Sequence, residues 1–378
     1  MLLVRRVRID RPHDLKSLER RLGGRRLDLQ LGESVCLLTG CTERPAFEVD
    51  AFGLDAAVVR EERRLPVELR SMLTARPTPV LRLGSSEWVL GSRVRIIGVV
   101  NVTPDSFSDG GRFSSPQAAV EHGIRLVEEG ADALDVGGES TRPGSTGVSL
   151  EDELRRVIPV IEALSQRLPG TPLSIDTSKP DVAHRALESG AVMVNDVTGM
   201  TDPRMAEVAL AGHATVCAMH MQGTVQTMQR DPRYRDVVHE VGEWFAETIH
   251  RCVGLGLARD RLIVDPGIGF GKTLEHNLML LRQLDAFRFL KVPVMLGTSR
   301  KSFLGAITHE SVASARVVSS AVSISLAAAT GAVDMVRVHD VRQTKEALLV
   351  AEAIGSASAG GERWICAEPT LEKSTGAL

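Results

Sequence analysis

Residues 96–111 read Ile-Ile-Gly-Val-Val-Asn-Val-Thr-Pro-Asp-Ser-Phe-Ser-Asp-Gly-Gly, and the change of character half-way along decides the fold. The apolar, β-branched half is what a strand buried on both faces requires. Pro104 and the Gly110–Gly111 pair cannot continue it, so the polar half is a loop. A loop carrying Asn101, Thr103, Asp105 and Phe107 straight off a buried strand is placed for chemistry. The pattern then recurs. Apolar runs at Ala133–Val136, Leu173–Ile175, Val192–Val194, Thr215–Ala218, Leu262–Val264, Val292–Leu296 and Met335–Val338 each end in a polar or glycine-rich cluster and lead into a helical segment. With Ile96–Val100 they make eight β-then-α units over residues 94–356, which predicts an α/β fold, the (β/α)8 TIM barrel, an architecture of about 250 residues.

Local signals mark the helices between the strands. Ser115-Pro116 offers a cap followed by a proline at the first helical position, and Gly130 closes that helix. Ser149 with Asp152 resembles a capping box ahead of Leu154–Leu164, and Pro159 is expected to kink or interrupt that helix. Ala321–Val336, the longest weakly polar run, reads as a buried helix followed by a strand rather than a membrane span.

The 378 residues exceed one barrel. Residues 1–75 predict a small α/β domain, with strands at Leu2–Ile9 and Ser34–Leu38 and a helix at Asp14–Leu22. Residues 76–93 predict a linker (Arg76–Pro79) and a short hairpin (Trp88–Arg93) closing the barrel bottom, and 357–378 a frayed tail. Hydrophobic residues make up 43% and charged residues 25%, as in soluble globular proteins, while aromatics at 3% leave the core to Leu, Val, Ile and Ala. The net charge of −3 argues against wholesale nucleic-acid binding, although the first 93 residues carry 17 basic against 13 acidic side chains. Nine basic residues fall within the first 26, without interleaved aromatics, and read as a solvated face. Five cysteines make no disulfide framework, Cys36 and Cys41 lack partners for a zinc site, and the N-terminus has no signal-peptide core. The expectation is a reducing cytoplasmic compartment, with no membrane or nucleic-acid partner.

In a barrel of this kind the carboxyl ends of the strands converge on one bowl. They deliver Asn101, Thr103, Asp105 and Phe107 from the first strand, and Asp135 with Gly137-Gly-Glu-Ser-Thr-Arg-Pro-Gly144 from the second. The third brings Asp176-Thr-Ser-Lys-Pro180 and the fourth Asn195-Asp196. Met219-His-Met-Gln-Gly223, Asp265-Pro-Gly-Ile-Gly-Phe-Gly-Lys272, Thr298-Ser-Arg-Lys-Ser302 and Arg337-Val-His-Asp340 follow on the rest. An Asp at one strand end is commonly a helix cap, and His220 between two methionines reads as a satisfied core residue. Eight polar clusters at the same ends of eight strands read as a site. Gly267–Thr273 superficially suggests a nucleotide-binding loop, but Pro266 stands where the first glycine belongs and the spacing fits no phosphate or dinucleotide motif. Asn101, Thr141, Arg142, Arg337 and His339 form a donor-rich, cationic corner suited to a diphosphate. Asp176, Asn195, Asp265 and Lys301 suit a flat heterocycle with an N–H edge, since buried carboxylates persist only when paired or hydrogen-bonded.

Together these motifs resemble, over residues 94–354, the dihydropteroate synthase family of the folate pathway. They occur in order and at barrel spacing, and only the 93 residues in front depart from the minimal family pattern. The resemblance implies a transferase that joins 6-hydroxymethyl-7,8-dihydropterin diphosphate to 4-aminobenzoate, giving 7,8-dihydropteroate and diphosphate. By correspondence, Asp176, Asn195, Met219, Asp265 and Lys301 hold the pterin, and Asn101, Thr141, Arg142, Arg337 and His339 the diphosphate, with Mg²⁺ at Asn101. Phe107, Pro143, Phe270, Ser299 and Lys301 line the aminobenzoate slot. Asp105, Arg142, Lys301, Arg337 and His339 carry catalysis, and a homodimer through the last barrel helices is implied. A pterin-dependent methyltransferase to a corrinoid is the nearest rival, but it has no use for the Arg142–Arg337–His339 corner. A non-catalytic pterin-binding protein is the second.

Overall fold

The computed structural model describes residues 2–8, 34–40, 56–59, 80–84, 86–103, 116–141, 144–145 and 147–356. The expected helix at 14–22, the linker at 76–79, the Ser115 cap, Asp105, Phe107, Arg142, Pro143 and the tail from 357 lie outside those residues. At the N-terminus β1 (Leu2–Arg8), β2 (Ser34–Gly40) and β3 (Ala56–Val59) form an antiparallel sheet in that order.

Eight parallel strands build the barrel: β6 (Arg95–Asn101), β7 (Ala133–Gly137), β8 (Leu173–Asp176), β9 (Met193–Asp196), β10 (Thr215–Met219), β11 (Leu262–Asp265), β12 (Met295–Leu296) and β13 (Met335–Val338). They pair in chain order from β6 to β11, and β13 joins β6 to β12. A single bridge between Val264 and Val294 closes the circle, with the Val264 N–H on the Pro293 carbonyl at 3.0 Å. The expected strand Val292–Leu296 is thus regular only over its last two residues, because Pro293 has no N–H for a ladder. Strands β7 to β11 are buried throughout, which is why they read as unbroken apolar runs.

Side chains two apart on a strand share a face, and the inward face changes chemistry along the barrel axis. At the amino end it presents Ile97, Ala133, Met193, Cys217, Ile263, Met295 and Met335, packed into one cluster with Leu81, Leu83 and Leu90. Leu81 and Leu83 belong to a hairpin, β4 (Val80–Leu83) and β5 (Ser86–Val89), turned at Gly84 with φ +59°, and Leu90 directly follows it to complete the plug. The hairpin starts earlier than the expected Trp88–Arg93, because the alternation that drives Leu81 and Leu83 inward begins at Val80. Two residues further up, the same strands present Asp135, Asp176, Asn195, Met219, Asp265 and Arg337.

Helices between the strands are α1 (Pro116–Glu129), α2 (Leu150–Arg167), α3 (Pro180–Glu188), α4 (Pro203–Ala211), α5 (Val237–Gly254), α6 (Leu274–Arg282), α7 (Ser302–Thr308), α8 (Val317–Ala329) and α9 (Val341–Ser356). Ser149 caps α2 by accepting the Asp152 N–H at 3.1 Å, and its hydroxyl donates to the Asp152 carboxylate at 2.7 Å. Contrary to expectation, α2 runs through Pro159 without interruption. The ring lies on the exposed face, while Val157, Val160, Ile161 and Leu164 anchor both halves to the barrel. The expected buried helix in Ala321–Val336 is α8, and it is buried on one face only: Val318, Val322 and Leu326 are exposed, beside Leu349, Val350 and Ile354 of α9. Among the described residues no helix is long and apolar enough to cross a membrane.

Candidate active site

The floor of the bowl is a buried ionic network that spans four strands. Arg337, from β13, donates through Nε to Asp135 Oδ2 of β7 at 2.6 Å and through Nη2 to Asp176 Oδ2 of β8 at 2.7 Å. The Asn195 amide of β9 donates to the same Asp135 oxygen at 2.9 Å. The second carboxylate oxygens of Asp135 and Asp176 are buried and have no partner among the described residues, an arrangement that costs stability and is kept where a ligand supplies the missing donors. One guanidinium thus serves two carboxylates. Burial pushes the Asp176 carboxyl up to about 7, helped by the neighbouring Asp135 charge and opposed by Arg337.

Across the bowl, Asp265 ends β11. Its Oδ1 accepts the Gly267 N–H at 2.8 Å, and burial raises its pKa against the pull of Lys301. Lys301, just before α7, donates to the Ile268 carbonyl and lies 4.6 Å from the centre of the Phe270 ring, a cation–π contact. Burial lowers its pKa to about 8, with Asp265 opposing. Between Ser299 and Lys301, Arg300 adopts a left-handed backbone, φ +59°, unusual for a residue with a side chain. A two-pronged ion pair with Asp340 holds it there: Nε to Oδ2 at 2.9 Å and Nη2 to Oδ1. Arg300 and Asp340 are the chain neighbours of Lys301 and His339, so the pair ties two strand ends together.

Of the sequence-predicted residues, Asp176, Asn195 and Arg337 share one network, and Lys301 and Phe270 meet. Ser299 is turned to His339, its hydroxyl 3.1 Å from Nδ1 and accepting the His339 N–H at 3.2 Å. Asn101 and Thr141 stand half-buried at the end of β6 and after β7, and Met219 is buried at the end of β10. His220 is a satisfied core residue, as the sequence suggested, bonded through Nδ1 to Lys272 Nζ at 2.9 Å. Asp196 holds the turn after β9, accepting from the Thr198 and Met200 N–H groups at 2.8 Å each. The sequence reading gave Asp135 no role, yet it is the hub that Asn195 and Arg337 share; a lone carboxylate between Leu134 and Val136 in a run predicted to be buried was the signal. Among the described residues, no three His, Cys, Asp or Glu side chains cluster to hold a metal.

A barrel whose strand ends carry this network matches the pterin binding enzyme family over residues 97–339. Dihydropteroate synthase of Escherichia coli K12 is 45% identical over 266 residues, covering 70% of this chain and 93% of that protein. The chain belongs to the dihydropteroate synthase family. The Synechocystis member is 43% identical over 277 residues, covering 73% of this chain and 95% of its own. Among solved structures, the family member from Xanthomonas albilineans with 4-aminobenzoic acid superposes with a TM-score of 0.70 at 44% identity, covering 74% of this chain and 100% of that one. The same enzyme in complex with 7,8-dihydropteroate gives 0.67 at 41% identity, with the same coverage.

Proposed function

We propose that this chain joins 6-hydroxymethyl-7,8-dihydropterin diphosphate to 4-aminobenzoate, releasing 7,8-dihydropteroate and diphosphate. The observation that carries the reading is the pair of buried, unpartnered carboxylate oxygens on Asp135 and Asp176, set beside Asn195 and opposite Asp265 and Lys301. A pterin presents amino and ring N–H donors along one edge and a carbonyl next to them, which carboxylates and a lysine can answer together. Asp176, Asn195, Met219, Asp265 and Lys301 hold the ring in this reading, with Asp135 holding Asn195 and Arg337 in place.

An aryl amine is an uncharged nucleophile at pH 7 and needs no strong general base. The barrier lies in expelling diphosphate. Arg337 keeps Nη1 without a bond to a described residue, and with Arg142, His339, Thr141 and Asn101 it meets the leaving charge as it develops. The pterin ring delocalises the positive charge left on the methylene carbon, so the path is SN1-like. Phe107, Pro143, Phe270, Ser299 and Lys301 form the aminobenzoate slot, and Asp105 closes over the cation with its loop and excludes water. The Asn101 amide oxygen is a hard donor of the type Mg²⁺ accepts, and this ion is ordinarily held by one or two protein oxygens together with substrate phosphates. Asn101 would hold it, and the ion would supply neutralisation of the diphosphate charge.

The exposed apolar residues of α8 and α9 support a homodimer through that face. The free, buried Cys217 and Cys252 suit a reducing cytoplasm. Incubating the full chain with both substrates and Mg²⁺, and following dihydropteroate by mass, tests the reading. Product that requires both substrates supports it. Pterin bound without product would instead support a non-catalytic pterin-binding protein.

A further inference from the structure

The Gly267–Lys272 segment resembles a phosphate loop only in composition. Its glycines 267, 269 and 271 all take left-handed backbone, φ +64°, +83° and +59°, and the resulting turn points its carbonyls, not its N–H groups, at donors. The Gly269 carbonyl accepts from Gln229 Nε2 at 2.6 Å, the Phe270 carbonyl from Lys272 Nζ at 2.9 Å, and the Gly271 carbonyl from the Tyr234 hydroxyl at 3.0 Å. Ile268 takes Lys301. A wall of carbonyls repels an anion.

Lys272 itself turns away from the bowl. It is 2% exposed, and its ammonium has three acceptors for its three protons: the Phe270 carbonyl, His220 Nδ1 at 2.9 Å and the His220 carbonyl at 3.3 Å. Burial pushes its pKa well below the ordinary lysine value, and burial with the adjacent Lys272 pushes His220 down to about 2, so the imidazole stays neutral; in the tautomer protonated at Nε2 its Nδ1 accepts from Lys272. His220 is held in turn by the Trp244 ring, edge-on at 5.0 Å. The two chain segments approach too closely for a side chain at two of these glycines: a Cβ on Gly267 would lie 2.0 Å from the His220 carbonyl oxygen, and one on Gly271 2.5 Å from the Gln222 carbonyl oxygen.

We propose that Lys272, anchored on His220, is a positioning residue that fixes Phe270 for the second substrate. Of the groups that would read the pterin, Asp135, Asp176, Asn195 and Arg337 stand on other strands and share no hydrogen bond with this turn, while Asp265 and Lys301 bond to it through Gly267 and Ile268 and not through Phe270. The inference rests on the aminobenzoate slot proposed above, and the two can fail separately.

The test uses the full chain with Lys272→Met, measuring KM for 4-aminobenzoate by turnover and the Kd for the pterin diphosphate by calorimetry. The expected result is a KM raised at least about tenfold while the pterin Kd stays within about threefold. His220→Asn, which keeps an acceptor oxygen near the Nδ1 position, is expected to stay within about threefold of wild type in both, and His220→Leu to behave like Lys272→Met. Should Lys272→Met fail to fold, the two His220 variants carry the same comparison. Equal loss of both substrates, an unchanged KM, or His220→Asn as impaired as His220→Leu overturns the inference. Absence of wild-type turnover overturns the functional reading and this inference with it, whereas normal wild-type turnover without the split overturns the inference alone.

Discussion

The two ends of the barrel are lined by the same strands, two residues apart. At the amino end Ala133, Met193, Ile263 and Met335 face inward and pack on the Leu81–Leu83–Leu90 plug. At the carboxyl end the next inward positions are Asp135, Asn195, Asp265 and Arg337. The apolar end satisfies itself with dispersion and burial. The polar end is held by one guanidinium between two carboxylates, with oxygens of Asp135 and Asp176 unanswered. One end contributes stability, and the other gives some of it up to hold groups a ligand can use.

That contrast can be broken from either side. Arg337→Met leaves Asp135 and Asp176 buried without a counter-charge, and breaking such a pair costs about 3–5 kcal/mol. It also removes the donor proposed above to meet the leaving group. We expect a lower Tm together with a fall in kcat of at least tenfold, about 1.4 kcal/mol; a smaller fall removes Arg337 from the leaving-group role. Leu81→Ala in the plug is expected to cost about 2–5 kcal/mol by denaturant titration, with kcat of the folded fraction unchanged. Lys301 tests the polar end alone. Its pKa is lowered to about 8 in the free protein, so its charge is lost as pH rises through that value, and pterin affinity should weaken above pH 8 in calorimetry. Lys301→Met should bind weakly and without that pH dependence. The smallest effect lies outside both ends. Pro159 sits on the exposed face of α2, and Pro159→Ala restores a helical N–H, raising stability by about 1 kcal/mol in thermal melts without touching activity.

Much of this was legible in the sequence because period and punctuation are local. Strands buried on both faces read as apolar runs, and their first polar residue marks the rim, so Asp176, Asn195, Asp265 and Arg337 could be placed in one bowl from their positions alone. What the chain did not disclose were pairings between distant elements. That Asp135 is shared by Asn195 and Arg337, that Arg300 is locked by Asp340, and that Lys272 is folded inward onto His220 depend on which side chains the closed barrel brings together. Pro159 misled because tertiary anchoring through Val157 and Val160 outweighs a local breaker. Val292–Leu296 misled because a β-branched run with a proline cannot complete a ladder. The apolar run in α8 looked buried because composition alone does not tell a fully buried helix from one with an exposed apolar face.

The central claim is that the polar strand ends recognise the pterin and the plug does not. Asp265 tests it most directly, since its carboxylate is bonded within its own turn and lies outside the Arg337 network. With saturating 4-aminobenzoate, Asp265→Ala is expected to lower kcat/KM for the pterin diphosphate by at least about 100-fold, the worth of one or two hydrogen bonds to a charged group at about 1.5–3 kcal/mol each, with the fold retained by circular dichroism. A value within threefold of the unsubstituted protein would contradict the account.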